Sequence, residues 1–375
     1  MAYNAGGEFR RYVSVALVGF LLFGWAQGSW ASWKSEWEKV VEAAKKEGKV
    51  VASIPASAKL RKRMEEAFEK RFAGIDLEPV PAGPSRNVRR IADEFKAGER
   101  YFDVHVSGAS SMVTGLVRPG FVDPIEPYML LPEVRDPKNW WGGHIYADKA
   151  KRFAYSFIAY LSQNIYYNTN LVNPEEIRTY DDLLNPKWKG KIGFFDPRIP
   201  GPGDASWSYM WEVKGENYLR GLVRQDLQIT TNRRVLAESL AKGKLAITIG
   251  VSYYSLAPFL KAGLPMKALP IPKEGTYATG GAGVMVIVKD PPHPNATKVF
   301  VNWLLGKEGQ EIFSKAMGHA TRRLDVDTAW IYKLGYVPAK DALTVDDYYK
   351  HENQSEEKVQ NVRIPARKFA RKLLK

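Results

Sequence analysis

The chain has 375 residues, 45% of them hydrophobic and 12% aromatic, with a net charge of +14 and no cysteine. That length and apolar content support about two domains and exclude a disordered chain. The missing thiols exclude a disulfide scaffold, a cysteine-ligated metal and a lipid-modified cysteine anchor, while the positive charge favours anionic partners.

In chain order, Arg10 and Arg11 precede the apolar run YVSVALVGFLLFGWA, and small residues follow in AQGSWA. A basic start, a short apolar core and an A-x-A-like end describe a secretory signal peptide over residues 1–31. The run is shorter than the roughly 20 residues of a spanning helix. Export without a cysteine tether points to the periplasm.

SEWEKVVEAAKKEGK reads as a helix, with Ser35 and Glu38 at capping-box spacing and Gly48 as its stop. VVASI, IDLEPV and FDVHVSG read as strands separated by two helices, an α/β pattern on a largely parallel sheet. The carboxyl ends of these strands are IPAS, PAGPS and SGASS, uncharged and rich in small residues. Ligands of open α/β sheets sit at that edge, which makes Ser53, Ser57, Ser107 and Gly108 candidate binding residues. His105 lies inside its strand, where packing is its expected role.

The aromatic stretch FAYSFIAYLSQNIYYNTNLV leads to a second α/β unit, from about Tyr166 to Pro270. Its candidates are Asp196 at the end of KIGFFD, Asn232 and Arg233 in TTNRR before a helix, and Tyr253 and Tyr254 after the strand LAITIGV. Arg86, Arg198 and Arg234 also stand near cleft-forming loops. Neighbours in a strand point to opposite faces, so the two tyrosines can share a ligand only where the strand has ended. The helix TKVFVNWLLGKEGQEIFSKAMG carries an apolar face. The chain from about Ala320 reads as peripheral, and the bases from Arg363 to Lys375 as a solvated helix face. There is no G-x-S-x-G, H-E-x-x-H or P-loop, and none of the five histidines pairs with another at zinc spacing. These absences point away from an enzyme, and no nucleic-acid-binding motif is visible.

YYNTNLV, DDLLNPKWKGKI and HPNATKVFVNWLLGKEGQEIF resemble the extracellular solute-binding proteins of ABC importers, and the ferric-iron-binding branch among them. The resemblance spans roughly Trp33 to Asp325. It implies a two-lobed α/β fold of the type 2 periplasmic binding proteins, with two sheets flanked by helices and joined by two crossing strands near Tyr155–Tyr166 and Ala278–Val288. Lobe 1 would then comprise residues 32–160 and 280–345, lobe 2 residues 161–279, and a basic tail residues 346–375. The implied function is capture of a ligand in the inter-lobe cleft and delivery to an inner-membrane permease by a monomer. Gly243, Ala246, Tyr253 and Tyr254 keep the ferric branch's spacing, so the resemblance places Tyr253 and Tyr254 as iron ligands. Fe3+ suits anionic oxygen donors, and a phenol titrating near 10 needs the metal to deprotonate it. The first-lobe histidine or glutamate of many ferric binders has no counterpart here. Two readings of the ligand therefore stand: Fe3+ completed by a synergistic anion, or a small carboxylate, phosphonate or sulfonate held without metal; a secreted enzyme is the remote alternative to both.

Overall fold

The computed structural model describes residues 33–161 and 164–375. The expected signal peptide lies outside the described residues. Among those described, no helix is long and apolar enough to cross a membrane.

Helix α1 (33–47) is already running at position 33, so Ser35 lies inside it instead of capping it, and Gly48 ends it with a φ of 77°. The chain then alternates: β1 (Lys49–Pro55), α2 (Ala58–Arg71), β2 (Asp76–Ala82), α3 (Pro84–Lys96), β3 (Val104–Ser107) and α4 (Ala109–Met112), which continues as a π turn over Val113–Val117. Short pieces follow: β4 (Val122–Asp123), α5 (Pro132–Arg135), β5 (Ile145–Tyr146), β6 (Tyr155–Ser156) and β7 (Tyr160–Leu161). The second unit runs through β8 (Ile165–Asn168), β9 (Ile192–Phe195), α6 (Pro202–Val223), β10 (Gln228–Thr230), α7 (Arg233–Ala241), β11 (Ile247–Ile249), α8 (Tyr253–Lys261) and β12 (Met266–Ala268). The return is β13 (Ala278–Thr279), β14 (Val284–Val288), α9 (Pro294–Leu305) and α10 (Lys307–Met317). β15 (Val337–Pro338), α11 (Val345–His351), α12 (Glu356–Lys358), a second π turn (Val359–Arg363) and α13 (Ile364–Leu373) complete the chain.

Two sheets make two lobes. In the first the order is β2-β1-β3-β14-β6-β5, with β4 beside β14; β1, β2 and β3 are parallel and β14 runs antiparallel to β3. Both faces of β1 are buried: Val50, Ala52 and Ile54 pack with Met64, Phe68 and Phe300, while Val51 packs with Ile91 and Met112. A strand covered on both sides needs an unbroken apolar run, and VVASI supplies most of it. The second sheet, β10-β9-β11-β8-β12, is also covered twice, by Trp207 and Leu219 on one face and by Leu236, Leu240 and Leu256 on the other. The architecture is the expected two-lobed α/β fold.

Between the lobes lies a small antiparallel sheet, β13-β7-β15, in which Thr279 pairs with Tyr160 and Ala278 with Leu161. The two expected crossings pass through it. The chain also crosses a third time. Tyr348 is buried against Trp141 of the first lobe at a centroid distance of 5.6 Å, whereas Ala366, Phe369, Ala370 and Leu374 join the core of the second. The expectation of a peripheral tail with a solvated basic face fails here on a physical ground. Arg363 and Arg367 turn inward to Asp204, which is fully buried, and only Lys368, Arg371, Lys372 and Lys375 face solvent.

Candidate functional site in the inter-lobe cleft

The cleft cavity has a volume of about 80 Å³ and is lined by all three strand-end loops of the first lobe: Pro55 and Ala56, Ala82 and Pro84, Ser107 and Gly108. It is small beside the several hundred Å³ of a pocket for a drug-sized ligand, so it suits an ion or a compact anion. Ser110 and Ser111, on α4, add two buried hydroxyls without a hydrogen-bond partner among the described residues. The second lobe contributes the loop Pro200–Pro202, Arg233 at the start of α7, and Ser252 and Tyr254 at the start of α8. No lining residue is Asp or Glu, and among the described residues no group of three histidines or carboxylates could hold a metal ion.

Arg233 and Tyr254 are built as a unit. The Arg233 Nη1 donates to the Tyr254 hydroxyl at 2.9 Å, and its guanidinium carbon sits 4.8 Å from the Phe195 ring centroid. Among the described residues the Arg233 Nε is buried and unpartnered, and the side-chain partner of this arginine is the neutral Tyr254 hydroxyl. Across the cleft, in the turn that follows α10, His319 presents its ring to Tyr254 edge to face, with centroids 6.2 Å apart. It stacks on Tyr160 at 4.8 Å. Burial lowers the His319 pKa to about 3, so the imidazole is neutral, with one donor and one acceptor. Among the described residues, neither of its nitrogens has a partner. Each such orphan costs about 1–3 kcal/mol in a dry site, which a guest or water can recover. The hinge phenols are different: burial pushes Tyr277 up to about 12 and Tyr160 well above its ordinary value, so both stay protonated.

The sequence candidates separate into two groups. Ser107, Gly108, Arg233 and Tyr254 line the cavity. The other five do not, and each has a local structural task. Ser53 is fully buried beneath the site, bonded to His105 Nδ1 at 2.7 Å and to Asn87. His105 is thus a packing histidine, as its strand position suggests, and burial lowers its pKa to about 3. Ser57 caps α2 by accepting from the Leu60 amide, and Asn232 caps α7 by accepting from the amides of Arg234 and Val235. Asp196 makes a two-pronged pair with Arg198. Burial works against that carboxylate, but the Arg198 hydrogen bonds outweigh it and hold its pKa below the ordinary value.

Tyr253 and Tyr254 do stand at a helix start, as sharing a ligand requires, but only Tyr254 lines the cavity. The Tyr253 ring lies against the turn at Gly318, where an added Cβ would come within 2.2 Å of it, and burial raises its pKa. Of the other arginines considered, Arg198 and Arg234 are committed to Asp196 and Glu238.

Among the cavity residues that escaped sequence reasoning are Tyr160, His319, Gln354 and Arg363. His319 had one usable signal, a Gly-His step closing a helix, with Gly318 in the left-handed region. Gln354 and Arg363 had none, because nothing local shows that the tail returns to the cleft.

Compared with known proteins, residues 49–316 match the family model described as "Bacterial extracellular solute-binding protein". The chain is 23% identical over 296 residues to iron uptake protein A2 of Synechocystis, covering 71% of this chain and 80% of that one. Among solved structures, the Trichodesmium protein IdiA (FutA) in complex with iron and citrate aligns with a TM-score of 0.62 and 19% identity, over 87% of this chain and 99% of that one. AfuA of Actinobacillus pleuropneumoniae, with fructose-6-phosphate bound, aligns with a TM-score of 0.60 and 20% identity, over 84% and 99%. At these identities the structural likeness is one of fold.

Proposed function

We propose that this chain, which belongs to the bacterial extracellular solute-binding proteins, captures ferric iron together with a small anion in its inter-lobe cleft and delivers it to an ABC permease. It acts in the periplasm as a monomer, reached through the signal peptide at residues 1–31, and it transforms no substrate and binds no nucleic acid.

One observation carries the reading: the Arg233–Tyr254 unit faces a neutral, unpartnered His319 across the cleft. A phenolate and an imidazole are suitable donors to Fe3+, and the guanidinium keeps its hydrogen bond when the phenol gives its proton up to the metal. Two protein donors leave an octahedral ion incomplete. The remaining positions fall to an anion, for which Arg233 supplies charge and Ser110 and Ser111 supply hydroxyl donors. The iron named for the Synechocystis and Trichodesmium proteins supports this reading. Closure follows as a population shift, because the cargo gains contacts from both lobes only when they approach.

A second reading, an organic anion without metal, is favoured by a cleft whose lining, among the described residues, holds Arg233 and no carboxylate. The test is addition of Fe3+ with carbonate or citrate to the purified protein. A visible tyrosinate-to-iron charge-transfer band is expected, and Tyr254→Phe should abolish it and weaken iron binding about a hundredfold, the loss of roughly 2.7 kcal/mol. Affinity should fall as pH falls, because binding releases the phenolic proton. Anion binding that shows no band and survives Tyr254→Phe would decide for the second reading.

A further inference from the structure

The third crossing brings a side chain into the cleft that neither the family match nor the sequence reading covers, since the match ends at residue 316. Gln354 is buried and lines the cavity. Its amide orientation is fixed by two partners that cannot exchange roles. The Gly281 carbonyl only accepts, and it takes a hydrogen bond from Nε2 at 2.8 Å. The Ala109 amide only donates, and it points at Oε1 at 3.4 Å. The second Nε2 hydrogen goes to the Thr279 hydroxyl at 3.0 Å.

Both donors of this amide are therefore spent, and its one remaining capacity is as an acceptor, at an oxygen held by a single long contact. The tail segment around it is pinned on both sides. Glu352 accepts from the backbone amides of Gln354 at 2.6 Å and Ser355 at 2.7 Å. Further on, Arg363 is locked to Asp204 of the second lobe through Nε at 3.0 Å and Nη2 at 2.7 Å.

We propose that Gln354 is a specificity-determining residue that presents only an acceptor to the cargo, so that the cleft selects a small oxyanion carrying a hydroxyl within reach of its charged group. A bare oxyanion offers Oε1 nothing but lone pairs. An anion with a hydroxyl satisfies Oε1 while its charge meets Arg233. This rests on the reading of the cleft as an anion-assisted ferric site, and it names which anions that site admits.

The experiment uses matched pairs differing by one hydroxyl: malate and succinate, citrate and tricarballylate, glycerol phosphate and propyl phosphate. Each is titrated calorimetrically into the full-length mature protein with and without Fe3+. The hydroxyl-bearing member is expected to bind about tenfold tighter, the equivalent of one good hydrogen bond. Gln354→Met, which keeps the shape and removes the acceptor, should erase that difference, with a urea titration confirming that the variant folds. Equal binding within the pairs, a preference that survives Gln354→Met, or no binding of any member would overturn the inference. A hydroxyl preference that is lost in Gln354→Met but shows no dependence on Fe3+ would sustain it while removing the metal reading.

Discussion

The two walls of the cleft are built in opposite ways. The second-lobe wall is charged and largely paired: Arg233 is bonded to Tyr254 through Nη1, with only its Nε left over, and Asp204 is bonded to Arg363. The first-lobe wall is uncharged and internally unsatisfied, with Ser110, Ser111 and both nitrogens of His319 lacking partners among the described residues. A wall whose groups already hold one another is preorganised and loses little on binding. A wall of buried orphans stands to gain whenever a guest arrives. The contrast assigns charge recognition to the second lobe and the incentive for closure to the first.

The contrast breaks most severely at Arg363. Replacing it with methionine leaves the fully buried Asp204 without its main partner, and breaking such a pair costs about 3–5 kcal/mol. Arg363→Met should therefore lower the urea midpoint of the whole protein, and adding Asp204→Asn to the same chain should recover part of the loss. An unchanged midpoint would mean that the tail is not integral to the second lobe.

A smaller effect is expected on the cargo itself. Arg233→Met should weaken anion-assisted binding about tenfold and flatten its dependence on salt, since the cleft's unneutralised charge is gone. Ser111→Ala should cost only severalfold with no change in salt dependence, because it removes one neutral donor. Equal salt responses in the two variants would erase the distinction between the walls.

How much of this could be read from the sequence depended on how local the cause was. VVASI and LAITIGV announce buried strands because each carries its own period and its own stops, and the loops at the ends of β1, β2 and β3 do line the cleft. Arg233 was legible because a residue at a helix start, after a strand, has few places to point. Asn232 and Ser57 carried the same signal, yet their short side chains turned back to cap their own helices. Gln354 and Arg363 were illegible because their positions follow from a long-range return of the chain. The buried pairing of Arg363 with Asp204 spans 159 residues, and no short pattern encodes it.

The smallest effect is expected at the residue that looked strongest beside its neighbour. Tyr253 and Tyr254 are adjacent, chemically identical, and share one helix start. On a helix, successive side chains diverge by about 100°, so one can face the cavity only if the other turns away. Tyr254 takes the cavity and the hydrogen bond from Arg233; Tyr253 takes the turn at Gly318, and burial there raises its pKa and opposes the phenolate a metal needs. Tyr253→Phe should therefore leave the charge-transfer band in place and change iron affinity by no more than about twofold, well under the effect of one hydrogen bond. A band lost in Tyr253→Phe as well as in Tyr254→Phe would mean that α8 turns when cargo arrives and brings both phenols to the ion, and the second-lobe wall would then not be preassembled.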